Sequence, residues 1–408
     1  MVPSDRRFTP AMGSYLHDVA RRLIAFDTVS AGSNAGAAAV LADELARHGF
    51  RVACQEYESE GVTKVNVVAT AGPPVAGGLI VSGHVDVVPF ANQAGWTRDP
   101  LAFTVDDARA YGRGTSDMKG FLAQCVAAAA VIDRARLARP LAFVFTADEE
   151  IGCGGARRLV PALPALLAGV PLPTLAWIGE PTAWRVYHTH KGIVVFTITA
   201  HGVAGHSSLP ERGQNAIAVM ARAIAVIGAY QAELRAAAPR ASAADFPECP
   251  YTPLNLGGVR GGSADNMIAD RCTLTVSYRP LPDEDPLAVH REVARRLAAA
   301  DLRDPGSPEA PARVDVGAAS VVAGMRSPRA TPLAAALADA LGPRSAGGAG
   351  GAPFATDGGE FARGGVASLV CGPGELGQAH QPNESIARAA FEEGVEVIGR
   401  VVARLCVG

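Results

Sequence analysis

Six residues of this chain carry side chains that bind divalent cations or move protons: His84, Asp117, Glu149, Glu150, Glu180 and His380. Imidazole nitrogens and carboxylate oxygens together suit zinc, cobalt and similar ions. Two such ions sharing one bridging carboxylate use about this set, with one carboxylate left over to handle a proton. The chemistry implied is hydrolysis at a two-metal centre.

Each residue stands in a stretch that helps it. His84 lies in Ser82-Gly83-His84-Val85-Asp86, after the apolar run Leu79-Ile80-Val81. Alternate residues of an extended chain share a face, so Asp86 can reach the imidazole of His84 and raise its basicity. Asp117 ends the glycine-rich stretch Tyr111-Gly112-Arg113-Gly114-Thr115-Ser116. There its carboxylate either bridges two cations, with the glycines allowing close backbone approach, or caps the helix that follows. Glu149 and Glu150 follow Phe143-Val144-Phe145-Thr146. Adjacent side chains diverge, so one can bind a cation while the other takes a proton from attacking water and returns it to the leaving amine. A solvated acidic turn over Asp148–Glu150 is the plainer alternative. Pro181 keeps Glu180 out of helical geometry at a strand edge. His380 sits in a turn-rich loop after Cys371-Gly372-Pro373-Gly374-Glu375.

A second group lies elsewhere. His206, in Gly205-His206-Ser207-Ser208 at a strand-to-helix turn, suits an oxyanion donor better than core packing. Arg279, in Tyr278-Arg279-Pro280-Leu281-Pro282, can fork onto a substrate carboxylate. Asn266 and Asp357 are candidates for polar substrate contacts. For Arg279, Asn266 and Asp357, structural hydrogen bonding is an equal alternative.

The elements that must position these residues alternate between strand and helix. Helical stripes cover Tyr15–Asp27 and Gly36–His48, with Gly49 as a C-cap. Strand-like runs at Phe50–Tyr57, Val65–Ala69, Leu79–Val81, Leu141–Thr146 and Thr174–Ile178 enclose helices from Lys119 and from Gly154. That alternation predicts an α/β domain of three layers around a central mixed sheet, with His84, Glu149–Glu150 and Glu180 each at a strand end. From Ile193 the order becomes strand, helix, strand, strand, helix, strand, ending at Arg313–Val316, which predicts an inserted ferredoxin-like α+β module over residues 192–317. The catalytic domain is then discontinuous, residues 1–191 and 318–408. Its second part holds a helix near Pro332–Leu341, a glycine-rich loop at Gly347–Gly351, strand Val366–Val370 and a final helix from Glu384.

Composition bounds the rest. At 408 residues, two domains are the natural prior. A net charge of −3 offers no basic stripe to nucleic acid or an anionic membrane. No run approaches the roughly 20 apolar residues of a bilayer span, so a cytoplasmic protein is expected. Seven cysteines without a CxxC pair suit reduced thiols; Cys153 is a soft ligand, a redox switch or a small residue packing a turn. Only three lysines occur, Lys64, Lys119 and Lys191, among abundant arginines, and a retained lysine points to a need for a compact ammonium.

In sequence order, the motifs SGHVD, YGRGTSDMKG, DEEIG, GEPT, GHSS, YRPLP and GPG…AH resemble the M20 metallopeptidase family over nearly the whole chain. The resemblance implies two zinc or cobalt ions in a catalytic domain and a lid domain that forms a homodimer. It implies that His84 and Glu180 hold one metal, Glu150 and His380 the other, and that Asp117 bridges them. Asp86 would then support His84, Glu149 would be the general base, and His206 would reach the partner subunit's active site. The substrate would be a small N-acyl amino acid. The stretch Tyr187–Ile193 and the YRPLPDEDP run look most like the branch that deacetylates N2-acetyl-L-ornithine for arginine synthesis. Asp357 instead resembles the succinyl-diaminopimelate desuccinylases, and broader N-acyl-amino-acid amidohydrolases or carboxypeptidases are further alternatives. A metal-free binding protein of the same fold would lack Glu149 or several ligands.

Overall fold

Strands Leu79–His84 and Leu141–Thr146 are buried at every position, which requires cover on both faces. The computed structural model describes residues 10–307, 309, 311–345 and 350–408; of the expected glycine-rich loop, residues 347–349 lie outside them. The chain forms two compact units, Met1–His190 with Met325–Gly408, and Lys191–Gly324.

The first unit is built on a six-stranded sheet in the order Arg51–Ser59, Val62–Ala71, Leu141–Thr146, Leu79–His84, Leu175–Ile178, Ala367–Val370. The first two pairings are antiparallel and the remaining three parallel, so the sheet is mixed. Alternation sorts the side chains. Leu79, Val81, Phe143, Phe145 and Trp177 join one core with helices Pro10–Ile24, Ala35–Arg47, Lys119–Val131 and Arg388–Cys406. Ile80, Ala142, Val144, Ala176 and Ile178 join another with helices Gly154–Leu166 and Gly358–Arg363. Helix, sheet and helix make three layers. Each large apolar side chain so buried contributes about 1.5–3 kcal/mol.

The final helix begins at Arg388, not at Glu384 as the sequence suggests. Ser385–Ala387 pairs as a strand with Arg109–Tyr111, and that pairing claims the residues before the helix.

The second unit follows the strand-helix-strand-strand-helix-strand order. Its antiparallel sheet runs Leu254–Gly261, Arg271–Tyr278, Ile193–His201, Arg313–Val316, the ferredoxin-like arrangement. Ser320–Val322 also pairs with Ile193–His201, which keeps the chain in this unit to Gly324. Helix Ala216–Ala236 corrects one expectation: its 21 residues are long and apolar enough to cross a membrane by length and composition. Ala216, Val219, Met220, Ala223 and Ile227, at helical spacing, bury one of its faces in the core of this unit.

Candidate metal centre

Three neighbouring parallel strands end on one edge of the first sheet. Leu79–His84 ends in His84, which stands beside Thr146 in register. Leu141–Thr146 leads into Ala147, Asp148, Glu149 and Glu150, and Leu175–Ile178 into Gly179 and Glu180. Side chains from adjacent strand ends must converge there. The fourth parallel strand, Ala367–Val370, feeds the loop that carries His380. This loop passes so close to the Glu180 turn that a Cβ on Gly372 would lie 2.2 Å from the Gly179 carbonyl oxygen. Only glycine permits that approach.

The result is a tight cluster. Asp117 sits between the histidines, its Oδ1 3.0 Å from His84 Nε2 and its Oδ2 3.3 Å from His380 Nε2. Glu180 Oε2 is 3.9 Å from His84 Nε2, and Glu150 Oε2 is 3.1 Å from His380 Nε2. Donor atoms of His84, Asp117 and Glu150 lie within 4.8 Å of one another, as do those of His84, Glu149 and Glu180. Glu150 Oε1 and Glu180 Oε1 are buried without a hydrogen-bond partner among the described residues. Buried carboxylate oxygens left unpaired are costly and call for a positive partner.

Electrostatics agree with that demand. Burial, then the charge of Glu180, pushes the Glu149 carboxyl well above the usual carboxylate range. Burial raises Glu180 likewise, with Asp117 and Glu150 adding to the rise against the opposing pull of His84. Asp117 goes the other way: despite burial, hydrogen bonds from His380 and His84 hold it below the ordinary value. His84 is raised because those same carboxylates outweigh its burial, and hydrogen bonds to Asp117 and Glu150 lift His380 to about 10. Cations among these groups would relieve the repulsion that raises the glutamates.

The positions around the cluster carry corrections and additions. The carboxylate of Asp86 lies within ion-pair distance of the imidazole of His84 but makes no hydrogen bond to it. Nδ1 faces the Asp86 backbone carbonyl at 2.9 Å, and the carboxylate stays 3.7 Å away. The strand ends at His84, so the two-residue alternation no longer applies at Asp86. Its carboxylate instead accepts the N–H groups of Glu149 at 3.1 Å and Glu150 at 3.2 Å, and the Ser30 hydroxyl at 2.6 Å. Asp148 is buried rather than solvated: Lys64 Nζ lies 2.8 Å from its Oδ1, and the Tyr57 hydroxyl donates to its Oδ2. Lys64 also donates to the carbonyls of Ser30 and Gly32. The acidic turn is thus clamped from both sides of Glu149.

Glu384 is the residue that sequence reasoning passed over. Its Oε1 accepts the N–H groups of Gly114, Ser116 and Asp117 at 2.9–3.0 Å, while Arg113 donates to Oε2 at 2.7 Å. Arg113 also donates to Gln93, which in turn donates to the His380 carbonyl at 2.6 Å. One network thereby fixes the loops of Asp117 and His380.

Asp357 is buried in the first unit, accepting the Thr146 hydroxyl at 2.5 Å, and its donor atoms group with Glu149 and Cys153. His206, Asn266 and Arg279 belong to the second unit. There His206 and Asn266 lie in adjacent loops, the Ser207 N–H donating to the Asn266 carbonyl at 3.1 Å. Arg279 is exposed at the end of strand Arg271–Tyr278, and no described residue forms an ion pair with it.

Residues 80–404 match the model of peptidase family M20/M25/M40. The chain belongs to the M20 peptidase family. It is an enzyme, a hydrolase of a family with dinuclear metal-binding members, and it carries a candidate metal-ligand cluster. Among M20 relatives, the chain is 34% identical to the acetylornithine deacetylase of Proteus mirabilis, covering 95% of this chain and 96% of that protein. It is 34% identical, with the same coverage, to the acetylornithine deacetylase of Yersinia pseudotuberculosis. The fold is similar to that of an M20 metallo-carboxypeptidase from Sulfolobus solfataricus, with a TM-score of 0.71 and 18% identity over 97% of this chain and 99% of that one. A dinuclear metal-binding M20 peptidase from Bacillus subtilis is also similar, with a TM-score of 0.65 and 15% identity over 96% and 98% of the two chains.

Proposed function

We propose that this M20 enzyme removes the acyl group from N2-acetyl-L-ornithine, giving L-ornithine and acetate for arginine synthesis in the cytoplasm. The observation that carries the reading is Asp117 between His84 and His380, one carboxylate oxygen turned to each ring. In this reading His84 and Glu180 hold one zinc or cobalt ion, Glu150 and His380 the other, and Asp117 bridges. The unpaired oxygens of Glu150 and Glu180 and the mixed nitrogen and oxygen donors fit that pair. When bound, the two cations supply Lewis acidity to the amide carbonyl and to water.

The protein's own groups do the rest. Glu149 accepts the proton of the attacking water and returns it to the leaving amine. Asp86 and Asp148 hold its backbone so that the carboxylate meets the reacting atoms. Arg279 binds the α-carboxylate of the substrate, with Asn266 and Asp357 as polar contacts. The enzyme acts as a homodimer through its second unit, which serves as a lid, and His206 of one chain serves the metal centre of the other. The 34% identity to two acetylornithine deacetylases supports this substrate. Asp357 favours a second reading, N-succinyl-diaminopimelate.

The test compares hydrolysis of N-acetyl-ornithine, N-succinyl-diaminopimelate and N-acetyl-methionine by the metal-loaded enzyme. The highest kcat/KM is expected for N-acetyl-ornithine, and a preference for the succinyl substrate overturns the first reading in favour of the second. Metal binding has its own expected outcome. By calorimetric titration, Asp117→Ala weakens both cations, whereas His380→Ala weakens mainly one; two unperturbed sites in Asp117→Ala would exclude bridging.

A further inference from the structure

Beside the two proposed cation sites lies a third group of donors of different chemistry. Glu149, Cys153 and Asp357 place one carboxylate oxygen, one thiol sulfur and another carboxylate oxygen within 4.8 Å of one another. Cys153 Sγ is 3.5 Å from Glu149 Oε1. Cys153 and Asp357 are each 1% exposed, and Asp357 Oδ1 is buried with no hydrogen-bond partner among the described residues. Its other oxygen is taken by Thr146.

Chemistry separates this group from its neighbours. The donors assigned to the first two cations are oxygen and nitrogen; here sulfur joins two carboxylates. Such a set prefers thiophilic borderline or soft divalent ions, zinc and cadmium above magnesium or calcium. Cys153 stands at the N-cap of helix Gly154–Leu166, where burial, then the charges of Glu149 and Asp357, push its thiol well above the usual range, so a cation is what would draw the sulfur into its ionised form. Charge leaves room for such an ion. Ionised Asp86, Asp117, Glu149, Glu150, Glu180 and Asp357 carry six negative charges, of which two divalent ions neutralise four. No described lysine or arginine pairs with Glu149 or Asp357.

We propose that Glu149, Cys153 and Asp357 form a third cation site, selective for thiophilic divalent ions, whose filling withdraws Glu149 from proton transfer. Filling forms a sulfur–metal bond as the thiol proton leaves to solvent. Surplus zinc or cadmium then inhibits while the first two cations remain in place. Only this inhibitory consequence rests on the role proposed above for Glu149; the site itself does not.

The experiment titrates the metal-free protein with Cd2+ alone and follows the ultraviolet sulfur-to-cadmium charge-transfer band together with calorimetric stoichiometry. The wild type is expected to take three equivalents, with a thiolate band that Cys153→Ser lacks, and Cys153→Ser to take two. Serine keeps a hydrogen bond to Glu149 but supplies no thiolate. A thermal melt checks its fold, and Asp357→Asn, which keeps both shape and thiol, should also weaken the band-forming equivalent. A band of undiminished intensity in Cys153→Ser, or an unchanged band-forming equivalent in folded Asp357→Asn, overturns the site. Failure of the two-cation reading shows separately, as loss of the equivalents that carry no thiolate band.

Discussion

Glu149→Gln lowers kcat by about 10²–10⁴-fold, the usual worth of a positioned general base, or about 3–5 kcal/mol of barrier. The substitution keeps size and polarity but removes the site that accepts the proton. The backbone N–H of residue 149 still donates to Asp86, and Lys64 still holds Asp148, so the turn keeps its place. Cation binding should persist, because His84, Glu180, Glu150, His380 and Asp117 are untouched. KM should change little, since the loss falls on the transition state. Steady-state kinetics with metal analysis on the same preparation checks this. Near-normal turnover with both cations bound would remove Glu149 from the proton path.

Why the site was so legible follows from where its residues sit. His84, Glu149–Glu150 and Glu180 come directly after apolar runs that can only be buried strands, and parallel strands deliver such residues to one edge. Asp117 and His380 come from loops and gain meaning only beside the others. What stayed hidden was the support. Glu384 reaches back over more than 260 residues to three N–H groups, a contact with no local periodicity behind it. Asp86 keeps its carboxylate 3.7 Å from His84 Nδ1 but takes its hydrogen bonds from Glu149, Glu150 and Ser30, because strand alternation ends at His84. The three lysines are all engaged. Lys64 is buried in an ion pair, and Lys119 and Lys191 donate to backbone carbonyls. Helix Ala216–Ala236 shows the converse error: composition alone separates poorly a core helix from an apolar span.

His206→Ala is expected to cost about 10²–10³-fold in kcat, the worth of one well-placed donor to a developing oxyanion. The ring is built to donate. The Ser208 N–H points at Nδ1 from 3.2 Å, so in the neutral ring Nδ1 accepts and the proton sits on Nε2. His206 is exposed, and no described residue hydrogen-bonds Nε2, so that donor is available to a substrate oxygen. If it serves the partner's metal centre, two crippled chains should repair one another. A heterodimer of one chain carrying His206→Ala and one carrying Glu149→Gln contains one site with both defects and one with neither. Turnover should return to about half that of the wild-type dimer, far above either homodimer. The measurement needs differently tagged chains, purification of the mixed dimer and a metal assay to show both centres loaded. A verified heterodimer no more active than its parents would place His206 in its own chain's site or outside catalysis. Recovery would mean that neither chain alone holds a complete active site, so that dissociating the dimer abolishes activity while the metal centre stays intact.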